Sequence, residues 1–173
     1  MDLYSLQVPG ILKCIMKVST VGKILSEVKC AYLAGLIDGD GAIMACIERH
    51  KEKKFKVRVR IVVKITLSGE ADIKWIKNLT GIGRIRINRR TFEWIVRDKK
   101  ETEWILRMIK QYIHSKRKQT DIALRILRMN LNLKNNLIKA AYLADALSKF
   151  NVRSKNRRKN FAVMIEENIS RND

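Results

Sequence analysis

The chain has 173 residues, of which 46 % are hydrophobic and one is proline, a composition that excludes a disordered protein and suffices for a domain with its own core. Its 37 lysine and arginine residues face 17 aspartate and glutamate residues, and the formal net charge of +20 is far above the magnitude of about 2–8 that solubility requires. This charge predicts a polyanionic partner, either DNA, RNA or an anionic membrane, and the absence of any run near ~18 apolar residues excludes a membrane-spanning helix.

Residues 1–28 are predicted to form an N-terminal extension to the core domain, with a turn at Pro9-Gly10. They lack a basic start ahead of an apolar run, so we do not expect a secretory signal. Cys14, Cys30 and Cys46 are odd in number and form no closely spaced pair. They therefore indicate reduced thiols, and neither a zinc site nor a disulfide framework.

A helix is predicted from residue 29 to residue 39, and small residues recur along it at Ala31, Gly35 and Gly39. Steps of four residues place them on one face of the helix. Glycine inside a helix costs about 1 kcal/mol relative to alanine, so we expect this face to lie very close to another element. Two arrangements fit: a second helix whose backbone approaches closely, or the helix packed tightly on its own sheet.

Hydrophobic alternation with a period of two follows, and it predicts two pairs of strands separated by a helix. The strands cover residues 43–50, 57–67, 84–88 and 92–97, and further helices cover residues 72–79, 101–114, 119–129, 133–150 and 160–169. The predicted fold is α+β, with a sheet whose aliphatic side is covered by helices. Residues 29–129 form the core domain, and residues 130–173 form C-terminal helices and a basic segment that pack on it. Trp75, Trp94 and Trp104 lie on apolar faces and are predicted to be core residues.

The opposite side of the predicted sheet is unusually basic, because the polar positions of the strands carry Arg58, Arg60, Lys64, Arg84, Arg86, Asn88 and Arg97. A two-stranded ribbon fits the DNA major groove, where arginine and asparagine read guanine and adenine through paired hydrogen bonds. A charged face exposed only to solvent is the alternative. The predicted DNA-binding set also contains Met44, Cys46, Glu48, His50, Arg90, Glu93, Lys118, and Arg157 and Arg158 of the basic run 153–159.

Residues 33–41 read Leu-Ala-Gly-Leu-Ile-Asp-Gly-Asp-Gly at the end of the first predicted helix. This segment resembles the nine-residue motif of the LAGLIDADG homing endonucleases, except that Gly39 stands where the family name has alanine. The similarity extends from about residue 31 to residue 127 and includes the order αββαββα. It implies the single-motif, homodimeric type of this family, in which a saddle-shaped antiparallel sheet lies on DNA.

The resemblance also implies an activity and the residues that carry it. It implies a site-specific endonuclease that uses Mg²⁺, cuts both strands of a long, nearly palindromic DNA site and leaves 3′ overhangs. Asp40 and Gly39 would bind the metal, and the dimer interface would be formed by Ala31, Gly35, Leu36 and Gly39. The protein would be intracellular, in the compartment that holds the host DNA, without a membrane partner; RNA binding is not predicted.

The position of Asp40 supports a functional role independently of the resemblance. It falls at the C-terminal end of the helix, where the helix dipole disfavours an anion by about 0.3–1 kcal/mol, and Gly41 follows as a residue able to adopt a left-handed conformation. Two helices packed through their glycine face would bring two Asp40 carboxylates together, and a divalent cation would remove their repulsion. Asp38 is the competing carboxylate, roughly 200° around the helix, and is predicted to make a structural contact.

Lys116 is the second predicted catalytic residue, because family members carry a basic residue near the cleavage centre just ahead of a helix. Its ammonium would stabilise negative charge on the phosphate. A plain phosphate contact by Lys116, or the same role for Lys118, stays open. Leu67 departs from the family, which often has a polar residue there. A second motif is rejected, since residues 142–147 lack the glycine and the trailing Asp-Gly.

The alternative function is a non-cleaving nucleic-acid-binding protein, either an intron RNA maturase or a DNA-binding repressor. Asp40 separates the two hypotheses. An acidic residue beside phosphate weakens binding, so a protein that only binds has little reason to keep one. The sequence therefore favours the endonuclease.

Overall fold

The structure of the chain is a computed structural model that describes residues 21–151 and 161–170. The elements are α1 (Glu27–Asp40), β1 (Gly41–Arg49), β2 (Val57–Leu67), α2 (Glu70–Thr80), β3 (Arg84–Asn88), β4 (Thr91–Val96), α3 (Lys99–Ile109), α4 (Arg117–Leu127), α5 (Lys134–Asn151) and α6 (Phe161–Ser170). This α+β order is the predicted one. Most of the predicted extension, Cys14, and the basic run with Arg157 and Arg158 lie outside the described residues.

The strands form one antiparallel sheet in the order β1-β2-β4-β3. The whole of β1 pairs with β2, from Gly41 opposite Ile65 to Arg49 opposite Val57. In contrast, β4 pairs only with the second half of β2, beginning with Val63 opposite Val96. No described strand pairs with residues 57–62 on that side, so this half of β2 has a free edge.

The helices cover one face of the sheet, and the core lies between them and the alternating apolar positions of the strands. Trp94 is at its centre with 0 % exposure, and its indole Nε1 donates to the carbonyl of Ile82 at 3.0 Å. Gly83 permits this approach, since its φ is +72° and a Cβ there would lie 2.8 Å from the indole nitrogen. Trp94 is thus a core residue, as predicted, and Trp104 packs against the core from a half-buried position.

The prediction for Trp75 was wrong. Its side chain is 46 % exposed on α2 and meets the Tyr32 ring edge-on, with ring centroids 5.3 Å apart. The reason is that Ile73 and Ile76 occupy the buried face of α2, which leaves Trp75 on the rim beside α1.

Contacts outside the regular helix determine both ends of α3. It begins after Asp98, whose carboxylate accepts from the backbone N–H groups of Lys100 and Glu101. It ends at Ile109, five residues before the predicted end. The chain turns there, because Ile113 inserts into the core and the following amides donate to a side chain of α1.

No residue separates α1 from β1, since the helix ends at Asp40 and the strand begins at Gly41. Gly41 does not use the left-handed conformation that was expected; its φ is −93° and its ψ is 169°. Glycine is required there for space instead, because a Cβ would lie 2.6 Å from the Cα of Ile37. The last turn of α1 therefore lies directly against the start of the strand.

The C-terminal helices pack on the same unit, α5 against β1 and α4, and α6 against α5. At the end of α5, Asn151 donates from Nδ2 to the carbonyl of Ile43 on the outer edge of β1 at 2.6 Å. Asp145 caps α6 by accepting from the N–H groups of Phe161 and Ala162. Within the described ranges no helix is long and apolar enough to cross a membrane.

Candidate functional site

The tip of α1 carries an exposed carboxylate at Asp40. A helix leaves its last four carbonyls without helical partners, and no basic residue lies in the last turn of α1 to offset them. The Gly41 N–H donates to the carbonyl of Ile37, and the Lys116 ammonium donates to the carbonyl of Asp38. Among residues 21–151 and 161–170, no hydrogen bond or ion pair is formed by the Asp40 carboxylate.

Asp38, two residues earlier, is fully engaged. Its carboxylate accepts from the backbone N–H groups of His114 at 2.7 Å, Ser115 at 3.1 Å and Lys116 at 2.9 Å. These amides precede α4, so Asp38 fixes the turn that leads into that helix from a distant part of the chain. The two acidic residues of the motif thus differ in role, and Asp38 makes the structural contact that was predicted.

Lys116 lies at the same tip as Asp40, because its ammonium reaches the end of α1. Its side chain is half-buried, whereas Lys118 is exposed on the first turn of α4. Leu67 packs against the core and offers no polar group, and the neighbouring Thr66 lies on the opposite sheet face, across from Glu93.

The glycine face of α1 points away from the chain's own sheet. Ala31, Gly35 and Gly39 are exposed, and a Cβ added at either glycine would meet nothing within 4 Å. The buried side of the helix is formed by other residues, namely Cys30, Leu33, Ala34 and Ile37. Packing of the small residues on the chain's own strands is therefore excluded. The bare face continues into Val28 and Tyr32, which are 79 % and 54 % exposed.

The sheet face opposite the helices, called the polar sheet face below, carries the predicted DNA-binding residues of the strands. Its members are Met44, Cys46, Glu48, Arg58, Arg60, Lys64, Arg84, Arg86, Asn88 and Glu93, with Arg97 directly after β4. His50 follows β1, and the exposed Arg90 lies in the turn between β3 and β4. Period two and the register together place these side chains on one surface, so the sequence assigned them to the correct side of the sheet.

Glu93 lies at the centre of this surface with 0 % exposure. It accepts from Lys64 Nζ at 2.8 Å, from Arg86 Nε at 2.7 Å and Nη2 at 2.6 Å, and from Asn88 Nδ2 at 3.3 Å. Burial alone would raise the pKa of the Glu93 carboxyl, but hydrogen bonds from Lys64 and Arg86 outweigh it and hold the pKa below its ordinary value. The carboxylate thus stays ionised and fixes donors from two other strands.

This role of Glu93 was missed by the sequence, which placed it among the DNA-contacting residues. Alternation gives the face on which a side chain lies, but it does not say which neighbours enclose it. The available signal was chemical: Glu93 is one of two acidic residues, with Glu48, among several cations on that face. The backbone amides that bind Asp38 were missed as well, because they lie more than 70 positions away along the chain.

The described residues of one copy do not by themselves provide a complete set of metal ligands. In the part of the chain that the structure describes, no group of three or more His, Cys, Asp or Glu side chains is arranged to hold a metal ion. What the tip of α1 offers is hard oxygen: the Asp40 carboxylate and, next to it, the carbonyl of Gly39. Such donors suit Mg²⁺, which keeps several waters and shares its shell with phosphate, so the residues present fit such an ion.

Comparison of the sequence with known proteins identifies its family. A family model described as LAGLIDADG endonuclease matches residues 33–126. The DNA endonuclease I-CvuI of Chlorella vulgaris is 31 % identical over 124 residues, which cover 69 % of this chain and 77 % of that protein. The DNA endonuclease I-CreI of Chlamydomonas reinhardtii is 27 % identical over 100 residues, 56 % of this chain but only 60 % of that protein.

Solved structures agree in fold. A crystal structure of the homing endonuclease I-CvuI in complex with the I-CreI target matches with a TM-score of 0.77 and 26 % identity, over 84 % of this chain and 94 % of that chain. The homing endonuclease I-TnaI matches with a TM-score of 0.64 over 86 % of this chain and 99 % of that chain. At 18 % identity, the second match supports the fold alone.

Proposed function

Because the chain belongs to the LAGLIDADG endonuclease family, we propose that it is a homing endonuclease that cuts both strands of a long, nearly palindromic DNA site. It acts as a homodimer, uses a divalent metal and leaves 3′ overhangs. The observation that carries this proposal is the tip of α1, where an exposed carboxylate with no partner among the described residues adjoins a bare face of small residues. A protein that only binds DNA gains nothing from such a carboxylate, because it repels phosphate.

Dimerisation explains the bare face. Two copies related by a two-fold axis bury the same patch on each other, and glycine lets helix backbones approach closely. Contact through Ala31, Gly35, Leu36 and Gly39 brings the two Asp40 carboxylates close to the axis. Each copy then places its polar sheet face on one half of a DNA site with matching symmetry.

Divalent metal use is supported by relatives and by the donors present. The I-CvuI structures were obtained with DNA in the presence of 2 mM Mg or 2 mM Ca. In this chain Asp40 and the Gly39 carbonyl are the residues that would hold Mg²⁺, which when bound supplies charge neutralisation at the scissile phosphate and a more acidic water. Lys116, whose ammonium lies at the same tip, adds positive charge beside that phosphate.

The polar sheet face supplies DNA recognition. Arg86 is half-exposed although it pairs with Glu93, so its remaining N–H groups are free to reach a base edge. Asn88 and Lys64 are held by the same carboxylate and present their donors in fixed positions. Arg157 and Arg158, outside the described residues, remain proposed phosphate contacts.

One experiment tests the proposal as a whole. The purified protein is incubated with a randomised double-stranded DNA library and Mg²⁺, and the cut ends are sequenced. We expect one long, nearly palindromic site with 3′ overhangs, and no cutting when EDTA is present. Binding of a defined DNA site without cleavage would instead identify a repressor-like protein, and preferential binding of structured RNA would identify a maturase.

A further inference from the structure

A cavity of about 560 Å³ lies at the end of the sheet that is remote from Asp40. One wall is the free edge of β2 at residues 57–61, and the other is formed by residues 126–132, which are the end of α4 and most of its connection to α5. Gly41 pairs with Ile65, eight residues along β2 from Val57, so the cavity is roughly 25 Å along the strand from the tip of α1. It is therefore separate from the cleavage site.

The lining of the cavity combines positive charge with an apolar wall. Seven lysine or arginine side chains line it, and none of its described lining residues is acidic. Phe55, Ile126, Met129 and Leu131 form the apolar part. A volume of this size suits a compact ligand with an apolar body and an anionic group, because ligand cavities of about 300–1,000 Å³ bury most of a small molecule's surface.

Two arginines in this wall have unsatisfied donors. The Nε atoms of Arg60 and Arg97 are buried and have no hydrogen-bond partner among the described residues, although Arg60 Nη2 lies 3.6 Å from the Glu48 carboxylate. A buried donor without a partner is costly, and a phosphate oxygen is the acceptor that a guanidinium fits best. Arg58, Arg60 and Arg97 also line a second cavity of about 290 Å³, which Arg84, Asp98 and Glu101 line as well, so the site is continuous with the polar sheet face.

Duplex DNA alone does not fill this cavity. A duplex is a stiff rod whose bases are stacked inside, and it would bring phosphates to the rim while the apolar wall stayed empty. A nucleotide that has left the duplex offers both parts, a flat base for the apolar wall and a phosphate for the arginines. Asn132, which also lines the cavity, adds an amide for the edge of a base.

We infer that the cavity binds one unpaired nucleotide of a DNA strand that continues beyond the duplex on the polar sheet face. This inference rests on the proposed function for the position of the duplex, but the site itself depends only on the cavity. The nucleotide enters at the outer end of each half-site, with its base beside Phe55 and Met129 and its phosphate on Arg60 and Arg97.

The first test needs neither a target site nor cleavage. Binding of fluorescein-labelled tetrathymidylate is compared by anisotropy with an abasic tetranucleotide of equal charge, at ~0.2 M salt to suppress nonspecific attraction. We expect the thymidine probe to bind at least about tenfold more tightly, the effect of one stacked base. Met129→Trp and Leu131→Trp, which fill the cavity from its apolar wall, should each bring the ratio to about one.

Arg125→Gln is the control, since it removes one exposed positive charge from α4 outside the cavity; the ratio should stay as in the unaltered protein. Circular dichroism and thermal unfolding of the filled variants establish that they fold. A ratio near one in the unaltered protein, or an unchanged ratio in both filled variants, overturns the inference.

A second test places the nucleotide on the DNA. The site recovered from the cleavage selection is prepared blunt and with single unpaired nucleotides at its outer ends. The unpaired ends should tighten binding by about tenfold in the unaltered protein and not in Met129→Trp. Tetrathymidylate binding without this gain would show a site for free nucleotides and would sink the inference. Cleavage of the blunt site, measured in parallel, reports the proposed function separately.

Discussion

Glu93, at the centre of the polar sheet face, and Asp40, at the tip of α1, are acidic residues in opposite surroundings. Glu93 is buried and accepts from three side chains. Asp40 is exposed at the unfavourable end of a helix and has no partner within the described ranges. A carboxylate whose acceptors are filled organises its neighbours, whereas one left open in a disfavoured position is available for a ligand that the chain does not supply.

Asp38 sharpens the contrast, because it stands two residues from Asp40 in the same helix. Three backbone amides fill its carboxylate, and this bond fixes the turn that leads into α4. Proximity in sequence therefore says little about role, and the partners of each carboxylate decide it.

The largest effect is expected for Asp40→Asn. Removing the charge removes the proposed metal ligand, so cleavage should fall by more than about a hundredfold, above the usual effect of outer-shell groups. DNA affinity should stay the same or rise, since one repulsion with phosphate is lost. Cleavage of a plasmid that carries the selected site, together with gel-shift titration, measures both. Asp121→Asn, on the surface of α4, is the matched control, and parallel loss of binding in Asp40→Asn would argue against the metal role.

Gly35→Leu tests whether the glycine face of α1 forms the dimer contact that would bring the two Asp40 carboxylates together. The monomer should not be destabilised, because the position faces open space and leucine is the better helix former. The dimer should weaken by about 2–6 kcal/mol, since each copy inserts one side chain into a close contact. Sedimentation equilibrium provides the measurement, with Ala71→Leu on the exposed side of α2 as the control. An unchanged dimer would place the interface elsewhere.

Glu93→Gln tests the filled carboxylate. The loss of charge leaves Lys64 and Arg86 without their shared partner, and the free energy of unfolding should fall by about 1–3 kcal/mol. Both cations retain access to water, which keeps the effect below that of a fully buried pair. Glu103→Gln, which removes a pair between neighbouring turns of α3, is the control and should cost about 0.3–0.5 kcal/mol.

The same pair of proteins has a defined pH dependence. Because the folded pKa of Glu93 is lowered, its contribution is fully present above the ordinary glutamate pKa of about 4.3 and is lost as pH falls through the folded value. The difference in urea unfolding between the unaltered protein and Glu93→Gln should be constant at neutral pH and shrink below about pH 4. A difference that stays constant as pH falls, until the protein itself unfolds in acid, would show that packing, not charge, is responsible.

The smallest effect is expected for Asp38→Ala. Loss of the hydrogen bonds that hold the turn before α4 should cost about 1–2 kcal/mol of unfolding free energy. Hydrogen exchange should accelerate at the amides of His114, Ser115 and Lys116. Asp98→Ala removes the N-cap of α3 and serves as the reference, with faster exchange confined to Lys100 and Glu101. Unaltered exchange at the amides of His114, Ser115 and Lys116 would contradict the proposed role of Asp38 in holding this turn.

The sequence predicted the elements well where one period dominated. Alternation in β1, β2 and β4 fixed both the strands and the side of each residue, because one face of the sheet is buried. It failed where distant residues intervene: the end of α3 depends on Ile113 entering the core and on amides that reach Asp38. Trp75 was misplaced for a similar reason, since its helix has two better core residues on the buried side.

The candidate site shows the same division. Asp40 and the face with Gly35 were singled out by local rules together with the resemblance of residues 33–41 to the family motif, because a misplaced anion and a row of small residues are visible in a single helix. The enclosure of Glu93 and the cavity at the free edge of β2 arise from strands that meet only in the folded chain. Local periodicity carries no information about such meetings.

Helix α1 joins strand β1 directly, with Gly41 packed against Ile37. The glycine face of α1 and the polar sheet face are therefore rigidly connected. In the proposed dimer the glycine face of α1 forms the contact between the copies, and the polar sheet face binds the DNA. Any rotation of one copy relative to the other would then shift the position of the strands along the DNA duplex. The junction of α1 with β1 therefore sets the number of base pairs between the two half-sites. We expect a target whose central spacer is lengthened or shortened not to be cut.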